Sequence, residues 1–259
     1  DSAVRAIRDA FAARAGVTAA RLAARGVRGF DGVFEGEAGF YALYARGAYD
    51  PAVALRDLGA DFLGAGVSFK PWPACRGAHA FIEAALALRA QAPPDRIKKI
   101  AMRGAPMLTM LTAPEAAKKA PQTAIDAKFS LPFTVGAALA HGRVTLESFL
   151  PAALKDAAVL KLAAKAQFEI DPHAPPGMQG ATSGALALHC ADGRVLSHAV
   201  ERPRGHPGNP LSDDDLRAKF ADCAAYAKRP PNEAAVRAFL GRADELARCA
   251  DASALLAGL

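Results

Sequence analysis

The stretch GALALHCADGRVLSHAVER, residues 184–202, decides how this chain folds. Two runs of alternating apolar and polar residues flank Asp192-Gly193, a dipeptide suited to a tight chain reversal, so the segment predicts a β-hairpin. Working back from it, AKAQFEI (164–170) sets Ala166, Phe168 and Ile170 against Lys165, Gln167 and Glu169. That alternation predicts a half-buried strand. RIKKIAMRG (96–104) is a weaker strand candidate, and VSFK (67–70) a short strand-like run.

Beyond these segments the periodicity is helical. VRAIRDAFAARAGVTAARLAAR (4–25) places Val4, Ile7, Phe11, Ala15 and Leu22 on one stripe, and Gly26 and Gly29 end it. Shorter helices are expected at 36–46 and at 50–59, the latter with Asp50 as cap and Pro51 in the first turn. AHAFIEAALALRA (78–90) carries Phe81, Ile82, Ala85 and Leu86 on one face. PQTAIDAKFSLPFTVGAALAHG (121–142) reads as a helix interrupted at Pro132 and closed by Gly142. Ser212, followed by three aspartates, is a natural N-cap, and a last helix is expected near 232–248. The fold class expected is mainly α with an inserted α+β lid. Residues 1–66 belong to a helical domain, 67–203 form the α+β lid, and 204–259 return to the helical domain.

The chain has 259 residues, 52% hydrophobic and 22% charged, which suits a soluble globular protein with a sizeable core. Its net charge is +6, but the basic residues are scattered and few aromatics are interleaved with them. Nucleic-acid binding has little support, whereas ordinary surface charge or an anionic small substrate both fit. Cys75, Cys190, Cys223 and Cys249 form no C-x-x-C pair, so free thiols in a reducing cytoplasm are expected rather than zinc or disulfides. No signal peptide or membrane span is read. The chain does not open on methionine and reads as a piece of a longer polypeptide.

Chemistry concentrates in SFKPWPACRGAH, residues 68–79. Pro71 pushes Lys70 toward an extended backbone, and Arg76 and His79 straddle a helix start, where free N–H groups favour anions. Arg76 can clamp a carboxylate in bidentate fashion, and His79 can move a proton near neutral pH. The alternative is an interface loop whose charges meet acidic partners. Lys128 and Ser130, in DAKFSLPF (126–133), either line a pocket or serve as surface and buried structural residues. His206, between Gly205 and Pro207, reads as a turn residue, and His189 and His198 sit on the hairpin strands without metal-ligand spacing. There is no dinucleotide fingerprint, Walker loop, nucleophile elbow or H-E-x-x-H.

In order and spacing, SFKPWPACRGAH…IEAALAL, QTAIDAKFSLPFTVGAAL and RPRGHPGNPLSDDDLRAKF resemble landmarks of the MmgE/PrpD family. RDAFAARAGVTAARLAARGVRG (8–29) resembles a family helix that leads out of the large domain. The family contains 2-methylcitrate dehydratase, cis-aconitate decarboxylase and iminodisuccinate epimerase. The resemblance implies a large helical domain with a smaller α+β lid, a site in the cleft between them, and a homodimer. It also implies proton removal or addition next to a carboxylate of a small di- or tricarboxylate, with no metal and no organic cofactor. On that basis His79 and Lys70 are the expected catalytic residues. Arg76, Arg5, Lys128 and Ser130 are expected to bind substrate, Arg5 falling where some members carry a site lysine. Dehydration of the 2-methylcitrate type is the favoured reaction. An iminodisuccinate-type epimerase and a non-catalytic lid or oligomerisation piece are the alternatives. The chain departs from the family at Gly77, where many members have a first histidine, and at Phe133, where tyrosine is frequent. The family's N-terminal helical half is not in this chain.

Overall fold

The computed structural model describes residues 4, 7–251 and 254–255. Arg5 lies outside them. The chain divides into two compact units, residues 1–66 and 67–259.

The first unit is helical. Helix α1 spans Arg8–Ala23, α2 Phe40–Ala45 and α3 Pro51–Leu55. All are shorter than their sequence patterns. The Asp50 carboxylate accepts from the Ala52 N–H at 2.9 Å and starts α3 as expected. Phe34, Phe40, Tyr41, Tyr44 and Tyr49 form an aromatic cluster, with Tyr41 and Tyr49 stacked at 4.0 Å. Among the residues of this unit whose exposure is described, Gly39 alone is buried, and Phe11, Ala15 and Leu22 of the α1 stripe are exposed.

The second unit holds the core. Helix α4 (His79–Arg89) is followed by β1 (Ile97–Gly104), then by α5 (Glu115–Lys119), α6 (Ala124–Lys128), α7 (Leu131–His141) and α8 (Ala157–Ala164). Strand β2 (Ala166–Ile170), α9 (Gly177–Thr182), β3 (Gly184–Cys190) and β4 (Val195–Val200) come next. Helices α10 (Asp213–Ala225) and α11 (Glu233–Asp244) close the unit. The four strands form one mixed sheet in the order β2-β1-β3-β4. Strand β1 pairs antiparallel with β3 and parallel with β2, which is why the long helical excursion from 105 to 165 separates β1 from β2.

One sheet face is buried. Ile97, Ile100 and Met102 of β1 and Leu186 and Leu188 of β3 pack with Phe81 and Ile82 of α4 and Leu131, Phe133 and Leu139 of α7. Each such side chain contributes roughly 1.5–3 kcal/mol by leaving water. Strand β1 is central, although its alternation is blurred by Lys98 and Lys99. The hairpin forms around 191–194, with Gly193 at φ +86° and its N–H donating to the Cys190 carbonyl.

Several expectations change. VSFK is not a strand: Val67–Lys70 join no sheet, and the Phe69 N–H donates instead to the Gly205 carbonyl at 2.8 Å. Pro132 does not interrupt a helix but sits in the first turn of α7, where its missing N–H costs no bond. The inward face of β2 ends early. Ala166 is buried and Phe168 half-buried, but Ile170 is exposed, because β2 is an edge strand.

Candidate functional site

The stretch 68–79 turns through two prolines and a short 3-10 turn (Arg76–Ala78) into α4. Trp72 is buried and meets the His79 ring edge-on at 5.3 Å. His79 has no exposed surface. Its Nδ1 accepts from Arg76 Nη1 at 3.2 Å, and its Nε2 donates to the Ala74 carbonyl at 3.4 Å. That pair of partners selects the tautomer protonated on Nε2. Burial first, and then the charges of Arg76, Lys70 and Lys219, push the His79 pKa down to about 3. The imidazole is therefore neutral at physiological pH.

Arg76 is half-buried and held by the turn at 203–206. Its Nη1 donates to the Arg204 carbonyl at 2.9 Å and its Nη2 to the Pro203 carbonyl at 3.1 Å. Its Nε is buried with no hydrogen-bond partner. Burial lowers its pKa and Glu83 opposes the change, but a guanidinium keeps its charge. Glu83, one turn further along α4, accepts from the Arg204 N–H at 2.7 Å, and Arg204 Nη2 reaches Asp215 at 2.5 Å. The turn is thus tied to α4 through Glu83 and to α10 through Asp215.

Gly205 makes the clamp possible. It sits at φ +82°, and a Cβ there would lie 2.1 Å from the Phe69 carbonyl oxygen. His206 is a turn residue, its Nδ1 accepting from the Gly208 N–H at 2.9 Å. Lys70 is exposed and makes no hydrogen bond or ion pair among the described residues.

The other expected ligands are engaged inside the fold. Ser130 is wholly buried as the N-cap of α7, accepting from the Phe133 N–H at 3.0 Å and donating to the Lys118 carbonyl at 2.5 Å. The Lys128 ammonium lies 5.6 Å from the centre of the Phe149 ring, a cation–π contact. Its carbonyl accepts from the Cys75 N–H at 2.8 Å, which joins α6 to the site stretch through the backbone. Phe133 is buried beside Phe149 at 6.3 Å, in an apolar setting that asks for no hydroxyl. At Gly77 a Cβ would come within 2.7 Å of Leu108, so a histidine there requires Leu108 to move.

The structure therefore brings Arg76 and His79 into contact and leaves Lys128 and Ser130 in structural contacts. Glu83, Arg204 and Lys219 were not singled out from sequence. Glu83 gives a signal, the one carboxylate on a mainly apolar helix. The carbonyls of Pro203 and Arg204 give none, because every residue carries one. A recess of about 430 Å³ lined by Met102, Pro132, Phe168 and Glu169 contains none of the expected site residues. Among the described residues no cluster of three or more His, Cys, Asp or Glu could hold a metal, and no helix is long and apolar enough to cross a membrane.

Comparison with known proteins falls on the same region. The chain is 30% identical to human cis-aconitate decarboxylase over 218 residues, covering 81% of this chain and 44% of that protein. It is 28% identical to the mouse cis-aconitate decarboxylase over 223 residues, covering 81% and 43%. It is also 28% identical to the cis-aconitate decarboxylase-like protein oryM of Aspergillus oryzae over 239 residues, covering 86% and 48%. The chain thus spans a little under half the length of these relatives. The family model for the MmgE/PrpD C-terminal domain matches residues 72–239, a span that holds Arg76, His79 and the 203–206 turn and stops just short of Lys70. The chain belongs to the MmgE/PrpD family.

Proposed function

We propose that the protein is a cofactor-independent lyase for a small polycarboxylate, with Arg76 and Lys70 binding the substrate's carboxylates. The observation that carries this reading is cationic hydrogen-bonding capacity left unmet. Arg76 keeps a buried N–H unmet, and Lys70 makes no ion pair among the described residues. Cationic donors with capacity to spare favour a carboxylate ligand.

The relatives' names favour decarboxylation of a tricarboxylate such as cis-aconitate as the first reaction to test. In that reaction the bond to one carboxylate breaks, carbon dioxide leaves, and the electron pair remaining on the adjacent carbon takes a proton. Fixed cations beside the remaining carboxylates stabilise the charge that develops. Lys70, an ammonium with three N–H donors, supplies the proton in this reading. His79 has a lone pair committed to Arg76 and stays neutral, so it acts as a positioning residue that fixes the guanidinium. Dehydration of 2-methylcitrate and iminodisuccinate-type epimerisation use a related proton step, and the substrate decides what leaves.

The test is incubation with cis-aconitate or 2-methylcitrate in D2O, followed by proton NMR. Carbon dioxide release with deuterium entering the product carbon is expected from cis-aconitate. Lys70→Met and Arg76→Met should each lower kcat/KM by about 100-fold or more. No turnover of either acid, together with no measurable binding of any polycarboxylate, would sink the reading. A second reading, a non-catalytic lid, draws on the complete burial of His79. It predicts no deuterium exchange even where a polycarboxylate binds.

A further inference from the structure

The carbonyls that hold Arg76 belong to the segment joining β4 to α10, and surface connections of this kind are ordinarily mobile. Arg204 is held here through its N–H, its carbonyl and its guanidinium. The N–H donates to Glu83 at 2.7 Å, the carbonyl accepts from Arg76 Nη1 at 2.9 Å, and Nη2 donates to Asp215 at 2.5 Å. Glu83 lies four positions beyond His79, a spacing that puts both on one face of α4. The 3-10 turn and α4 thus grip Arg204 between a cation on its carbonyl and a carboxylate on its N–H. Asp215 is itself fixed, because the same carboxylate oxygen accepts from the Ser212 backbone N–H at 3.0 Å and from its hydroxyl at 2.8 Å. Bonds to an ionised partner are the stronger kind.

The consequence falls on Arg76. A guanidinium carries five N–H donors. Nη1 uses two of them, on the Arg204 carbonyl and on His79 Nδ1, and Nη2 uses one, on the Pro203 carbonyl. Two consecutive carbonyls so placed occupy the edge between Nη1 and Nη2. One N–H of Nη2 and that of Nε are left on the adjacent edge, a pair that suits the two oxygens of a carboxylate. That edge keeps its aim only while the turn stays in place. The Arg204 side chain reaches away to α10, where Asp215 offsets its charge, so Arg204 acts on the site through its main chain.

We propose that Arg204 is a positioning residue of this site. Held by Glu83 and Asp215, it keeps its own carbonyl and that of Pro203 against Arg76 and so aims the remaining guanidinium edge at a substrate carboxylate. The proposal rests on the reading of Arg76 as a carboxylate ligand.

Proton–nitrogen NMR of the Arg76 guanidinium and calorimetric titration with tricarballylate, an unreactive tricarboxylate, test it together. In wild-type protein the Arg76 Nη groups should give separate resonances, because hydrogen-bonded groups do not rotate freely. Arg204→Met should merge those resonances and weaken tricarballylate binding about 10-fold. Arg204→Lys, which can still reach Asp215, should keep them separate and bind within about 3-fold of wild type. Separate resonances in Arg204→Met, merged ones in wild type, or unchanged affinity in Arg204→Met overturn the proposal. Weaker binding with the Arg76 resonances unmoved overturns it too, since Arg204 would then meet the acid directly. If even wild-type protein binds no tricarballylate, yet Arg204→Met merges the resonances, Arg204 still positions Arg76 and the carboxylate reading falls alone. Should Arg204→Met not fold, Asp215→Asn, which frees the same guanidinium, is read by the same signals.

Discussion

His79 illustrates how surroundings change what a residue can do. The residue type, just inside a helix start and beside an arginine, suggests a proton carrier near neutral pH. Burial and three cations instead hold its pKa near 3, against an ordinary value of 6.5. The consequence for stability has a definite sign. At pH values between the two pKa values the unfolded chain binds a proton that the folded chain refuses, so stability falls as pH falls from 6.5 toward 3. His79→Gln cannot titrate. Urea unfolding should therefore show a steeper loss on acidification in wild-type protein, by up to ~1.4 kcal/mol per pH unit between about pH 6 and about pH 4. Parallel curves for the two proteins would mean that His79 protonates in the native state. The contact between Arg76 and His79 was legible in sequence because they stand three positions apart at a helix start. The cradle around Arg76 was not, because it is made of main-chain carbonyls from Pro203 and Arg204.

At the scale of elements, punctuation was read better than extent. The hairpin at Asp192-Gly193, the Asp50 and Ser212 caps and the stop at Gly142 all appear where turn and cap chemistry puts them. Helix α8 escaped notice even though Asp156 caps it, its carboxylate accepting from the Ala158 and Val159 N–H groups at 2.8 and 3.2 Å. The sequence there is a plain alanine-rich apolar run without contrast between faces. Pro132 misled for a related reason, since a proline inside an apolar run marks either a break or a first turn. Ser130 decides between these, and its hydroxyl satisfies the Phe133 N–H in a wholly buried setting. Ser130→Ala should cost about 1–3 kcal/mol, because a buried donor is left unmet. Ser130→Thr should recover part of that loss. Thermal unfolding of both variants checks this, and a loss below ~0.5 kcal/mol for alanine would mean that water replaces the cap.

The whole molecule shows an uneven division of labour. Among the described residues, the buried hydrophobic side chains all belong to residues 67–259, whereas the first unit exposes Phe11, Phe30, Leu43, Leu58 and Leu63. Cooperative unfolding is expected to come from the second unit alone. A fragment of residues 67–259 should keep the main thermal transition within ~3 °C of the full chain, and a drop beyond ~10 °C would show that the first unit supports the core. The presence of strands as well as helices was visible in sequence, because a period of two replaces a period of 3.6. The exposure of the α1 stripe was not, since periodicity reports that a face is apolar and says nothing of what covers it.

The seat of Gly205 against Phe69 also sets an order in time. The hydrogen bonds that cradle Arg76 join residues 127 and 128 positions apart. Closing so long a loop costs chain entropy before any bond forms, which delays such contacts relative to local helices. During synthesis the arginine and histidine emerge well ahead of the turn that receives them, and until it arrives their polar atoms face water. A chain stopped short of residue 203 carries both side chains but lacks the two carbonyls that hold Arg76. The cradle around Arg76 is thus acquired late, once the distant ends of the second unit have met.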